Sequence, residues 1–146
     1  MSDFAATLDA LWELQKLDHI VAEGLHEIAS SEKAVVEATS RVRTAEETLR
    51  QAKAATSELR KQHKDVEVEL ARLDTRIKQL EDQGGAAGVT AAGKQREHVD
   101  EFEMKGLELL DEIPANEKVE VKLQEELERQ QSLLAESSER VTTVAY

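Results

Sequence analysis

The chain has no cysteine, which excludes disulfides and thiolate metal sites. Its 146 residues hold one tryptophan, one tyrosine and two phenylalanines, too few aromatics for the core of an ordinary compact domain. Proline occurs once, at Pro114, so little interrupts a helix. Four of the six glycines fall within ten residues, at Gly84, Gly85, Gly88 and Gly93, which leaves most of the chain free of breakers. No apolar run approaches the roughly 20 residues of a membrane span. The N-terminus lacks the basic start and short apolar core of a signal peptide, so a cytoplasmic protein is the default expectation. Positive charge is the scarcer sign: Lys and Arg against Asp and Glu give 19 − 31 = −12. An acidic surface repels phosphate backbones, so neither nucleic acid nor membrane is an expected partner.

What is present is a heptad repeat. One set of positions reads Ile28, Val35, Val42, Leu49, Thr56, His63, Leu70, Ile77, and the other reads Ser31, Ala38, Ala45, Ala52, Leu59, Val66, Leu73, Leu80. These are the a and d positions of an unbroken coiled-coil helix. Ser2 or Asp3 supplies a cap, and only Gly24 intervenes before Asp82. A first helix over about 4–82 follows, roughly 79 residues and on the order of 115–120 Å. Its seam extends back through Leu14, Leu17, Val21 and Gly24, whereas Phe4, Leu8, Leu11 and Trp12 lie off that line. These residues form either a patch for a partner or a rotated seam packed within the protein.

Gln83-Gly84-Gly85 reads as a helix stop and residues 84–90 as a Gly-rich loop, with Thr90 capping a second helix over about 91–141. The loop is not a phosphate cradle. Gly88 and Gly93 stand five apart with Lys94 next, but Gln95 occupies the place of the magnesium-binding Ser or Thr, and no strand precedes. The second seam reads Val99, Phe102, Gly106, Leu109, Ile113, Asn116, Glu120, Leu123, Leu127, Gln130, Leu134, Ser137, Val141. Pro114 predicts a kink in it, and the β-branched tail from Arg140 predicts fraying.

Side-chain sizes set a register. With Leu80 opposite Ala92 in an antiparallel hairpin, the numbers of facing residues sum to 172. Ala45 then faces Leu127 and Ala38 faces Leu134, small against large. Thr56 meets Asn116, Glu69 comes beside Lys105, and Ile28 reaches Val144. The fold class is therefore all-α, a long antiparallel coiled-coil helical hairpin. Residues 4–27 are left without a facing helix although they carry Leu8, Leu11, Trp12, Leu14, Leu17, Ile20, Val21 and Leu25. Either the helix folds back at Gly24 or Ser30-Ser31, or the segment binds another chain, including a second copy.

Chemistry-bearing residues are sparse. His19, Glu23 and His26 share one helix face at i, i+4, i+7, a spacing zinc uses, but such sets on an exposed helix are usually solvated. His63 sits in the seam opposite Leu109. Lys94, Arg96 and His98 make a small basic cluster beside the loop, either a contact site or a solvated helix start. No nucleophile–base–orienter set assembles, so no enzyme, no metal and no cofactor are expected.

Ala10-Leu11-Trp12-Glu13-Leu14-Gln15-Lys16-Leu17-Asp18 resembles the L-x-x-L-Q-x-L-D opening of a bacterial family of helical hairpins usually followed by a C4-type zinc ribbon. The stretch Gly88–Val99, with its Val-x-Thr leading into a Lys/Arg–Glu helix start, is similar to that family's turn, and Leu109–Ile113 to its second helix. The likeness covers nearly all of the chain, but the ribbon's four cysteines are absent. The resemblance implies a non-enzymatic adaptor or chaperone-like protein whose partners include a sigma factor of the sigma-54 class or flagellar and type III secretion components. A stalk-type secretion or flagellar hairpin, and a structural coiled-coil spacer, are the alternatives. Phe4, Leu8, Leu11, Trp12 and Leu14 are the candidate partner-binding residues.

Overall fold

The computed structural model describes the backbone of residues 2–145 and the side chains of residues 3–143. It is an antiparallel pair of packed helices, α1 (Ser2–Asp82) and α2 (Gly85–Ala145), with no strand among the described residues. The hairpin fold expected from the heptads is thus what the chain adopts.

Two compact units divide the chain: Glu47–Gln124, which contains the turn, and residues 1–46 with 125–146. In the turn-containing unit, Ile77, Leu80 and Ala92 form a buried cluster flanked by Ala91 and Val99. Leu49, Val66, Leu73 and Leu109 are also buried, and Leu109 is fully so. One polar residue joins this core. Thr56 is 1% exposed; its Oγ1 donates to the Ala52 carbonyl at 3.1 Å and accepts from Asn116 Nδ2 at 2.9 Å. Asn116 Nδ2 also approaches the Ala52 carbonyl at 3.3 Å. The Asn116–Thr56 hydrogen bond, like the approach of Gly106 to Val66 Cγ1, joins residues whose numbers sum to 172. A buried polar pair stabilises only the alignment that satisfies it, so it fixes register more than it adds stability.

In the other unit, Ala38, Val42 and Leu127 are buried, and Ile28, Ser31, Val35, Ala45, Leu134, Ser137 and Val141 are half-buried. Gln130 is the soft point of this seam. Its Nε2 donates to Glu126 Oε1 at 2.8 Å, while its buried Oε1 has no partner among the described residues. The expected pairing of Ile28 with Val144 lies outside the described side chains, as does a cap from the Ser2 side chain.

The structure departs from several expectations. The loop predicted over 84–90 shrinks to Gln83 and Gly84. Gln83 N–H donates to the Gln79 carbonyl and Gly84 N–H to the Glu81 carbonyl, closing α1. Gly84 and Gly85, at φ of 71° and 80°, then reverse the chain. Helix resumes at once because Ala86, Ala87, Ala91 and Ala92 outweigh Gly88 and Gly93. Gly88 has its own reason: a Cβ there would stand 2.6 Å from the Leu80 carbonyl oxygen. Thr90 is not a cap but lies inside α2, its hydroxyl donating to the Ala86 carbonyl. Glu69 pairs with Arg72 of its own helix at 2.8 Å rather than with Lys105. At Pro114 there is no departure: a kink rather than a stop is expected there, and α2 continues past it. It is also helical through the tail, where Thr142 and Thr143 hydroxyls bond back to the Ser138 and Glu139 carbonyls.

Candidate partner-binding surface

The segment ahead of the seam is one continuous stretch of α1, unbroken at Gly24, Ser30 and Ser31, so the fold-back alternative is not adopted. Good helix formers and the absence of proline account for this. The side chains of residues 3–23 are all exposed. Phe4 is 71% exposed, Trp12 62% and Leu17 58%, with Leu8, Leu11, Leu14, Val21 and Leu25 also above half. The backward extension of the seam through Leu14, Leu17 and Val21 is therefore left exposed among the described residues; only Gly24 is half-buried.

At about 100° per residue, the apolar side chains form one stripe. Leu17, Val21, Leu14, Leu25, Leu11 and Phe4 follow one another around the helix, and Leu8 and Trp12 widen the stripe to about half the circumference. Ile20 stands apart, near Glu13 and Glu27. Trp12, with Gln15, Lys16 and His19, lines a shallow open hollow. A contiguous apolar patch of this length exceeds the few hundred Å² that soluble monomers ordinarily expose. The five candidates Phe4, Leu8, Leu11, Trp12 and Leu14 thus share one surface, which also includes Leu17, Val21 and Leu25. Leu14, Leu17 and Val21 are both a backward extension of the seam and part of this surface.

The other candidates do not converge. His19 Nε2 lies 3.1 Å from Glu23 Oε1, but among the described residues no group of three or more His, Asp or Glu is placed to hold a metal. Arg96 is held by Glu81 across the turn and His98 Nδ1 lies 3.7 Å from Glu101, so the basic cluster with Lys94 is divided among acidic neighbours. His63 is half-buried in the seam, its Nδ1 3.6 Å from Glu67. The sequence reading missed a smaller apolar feature: Leu107 and Leu110 are exposed beside a hollow where Gly106 meets Val66 and Leu70. Its signal was the recurrence of apolar residues at Met104, Leu107 and Leu110, outside the seam. No helix among the described residues is long and apolar enough to cross a membrane.

Compared with protein families, curated proteins and solved structures, the chain matches none of them.

Proposed function

We propose that this chain is a non-enzymatic, bacterial cytoplasmic adaptor or chaperone-like module, and that residues 4–25 of α1 are its partner-binding surface. One observation carries the reading: a half-circumference apolar stripe exposed along a helix that is otherwise buried only where α2 covers it. The stripe runs along a continuous helix, the element that amphipathic helix recognition uses. The sequence resemblance to zinc-ribbon hairpin proteins favours a sigma factor of the sigma-54 class, or a flagellar or type III secretion component, as the partner.

Trp12 tests the reading directly. In the dilute chain its emission is that of a solvent-exposed indole, and it shifts to the blue when a purified partner of those classes is added. Trp12→Ala weakens that binding by on the order of 2 kcal/mol, about thirtyfold. Emission already blue-shifted in the dilute monomer, or binding indifferent to Trp12→Ala and Leu11→Ala together, removes the reading.

A further inference from the structure

We infer that the occupant of the N-terminal stripe is a basic amphipathic helix of another protein, with a cationic side chain meeting Asp18; the inference rests on the partner-surface reading above. Charge is the first argument. Asp18 lies on the stripe and Glu13 and Glu23 flank its two edges, whereas Asp9 and Glu27 lie on the far side of the helix; residues 4–27 hold a single lysine and no arginine. That lysine, Lys16, is already 3.7 Å from Glu13.

Asp18 is the second argument. It lies on the midline of the stripe, between Leu14, Leu25 and Leu11, where an apolar partner would desolvate it. It is exposed and has no ion pair among the described residues. An incoming helix that covers Leu14 and Leu17 must supply a cation there or leave a buried charge unmatched.

A second copy paired through the continued heptad seam supplies none at its e and g positions. Continuing the heptad frame backwards places Glu13 at g and Asp18 at e. A parallel pair of copies sets Glu13 beside Asp18 of the second copy, like against like. An antiparallel pair sets e against e, and the e positions of this segment, Phe4, Leu11, Asp18 and Leu25, hold no cation. Each copy also brings its net charge of −12. A basic helix meets Asp18 at the centre of the stripe, and Glu13 and Glu23 at its edges, with the opposite sign, which governs which partner is accepted and how fast it arrives.

The test uses the full chain and two designed three-heptad peptides. Both carry leucine at a and d except at the central d position; one carries lysine at that position and at e and g, the other glutamate. Followed by Trp12 emission, the lysine peptide binds at least about tenfold more tightly than the glutamate peptide, and added salt narrows the gap. Asp18→Lys, an exposed substitution, weakens the lysine peptide and strengthens the glutamate peptide. Equal binding of both peptides overturns the inference while leaving residues 4–25 as a partner surface. Binding of neither, with Trp12 still exposed and the chain monomeric, overturns both. A dimer in sedimentation that Trp12→Ala dissolves makes a second copy the occupant and overturns the inference. So does a Trp12 shift on neutral phosphatidylcholine vesicles without one on the lysine peptide.

Discussion

Leu17 and Leu73 belong to the same helix and occupy equivalent heptad positions, yet Leu17 is 58% exposed and Leu73 is 3% exposed. Nothing in their immediate neighbours distinguishes them: both are flanked by charged residues in a breaker-free stretch. The difference lies across the interface, where Leu73 has α2 and Leu17 has none of it. An amphipathic pattern states a demand for a partner, and only pairing decides whether the demand is met within the chain. Residues 28–80 bury their stripe against α2, whereas residues 4–25 leave theirs exposed.

Truncation is the strongest way to break this comparison. Leu109→Ala, at a fully buried position, should cost about 2–5 kcal/mol of unfolding free energy, whereas Leu17→Ala should stay within about 0.5 kcal/mol in the isolated chain. Urea denaturation of both variants measures it. A large loss at Leu17 would mean that its surface is covered in solution.

The hydrogen-bonded layer sharpens the comparison next. Thr56→Val leaves Asn116 without its hydroxyl partner and should cost about 1–2 kcal/mol. The double variant Thr56→Val with Asn116→Leu should recover much of that loss, as two matched apolar groups replace the pair. Its register should be less exclusive. Cysteines introduced as Ala45→Cys and Leu127→Cys, which face each other in the native alignment, would report this as a lower yield of the disulfide within one chain.

The smallest effect is electrostatic. The Arg50 guanidinium donates to Glu47 at 2.5 and 2.9 Å, and chiefly through this hydrogen bond holds the Glu47 carboxyl below its ordinary range. Because the folded value is depressed, the pair's contribution is present above the unfolded pKa of glutamate and is lost as pH falls through the lowered value. Both side chains are exposed, so the effect on stability should be slight. An NMR titration should show Glu47 titrating lower than its exposed counterparts, and Arg50→Ala should return it to the ordinary range.

Much of the fold was legible because coiled coils write their contacts in a period. Each a and d position from Ile28 to Leu80 is buried or half-buried, and so is each one from Val99 to Val141. The alignment was legible too, since small and large residues alternate between facing positions and Thr56 has a natural match in Asn116. The turn was less so. Four glycines suggest a long loop by composition, but only Gly84 and Gly85 use left-handed dihedrals, and Gly88 answers a contact that appears only once the helices meet. Side-chain ion pairs were not legible: long exposed side chains choose among several neighbours at little energetic difference, and Glu69 chose Arg72. The candidate surface was visible as an excess of apolar residues. That it would remain an uninterrupted helix, rather than fold back at Gly24, came from the structure.

The two-residue reversal at Gln83 and Gly84 also sets an order of events in folding. Leu80 and Ala92 are near neighbours along the chain, and joining them closes a very short loop. Thr56 and Asn116 are 60 residues apart, a separation whose closure is costly until the nearer pairs have formed. Pairing therefore starts at the glycines and travels away from them, each layer shortening the loop that the next must close. Mutations near Leu80 and Ala92 should slow folding, and those near Ala38 and Leu134 should mainly hasten unfolding. The last part of α1 to acquire a partner within the chain is then the part that adjoins the exposed apolar stripe, so that stripe borders the layers that open first.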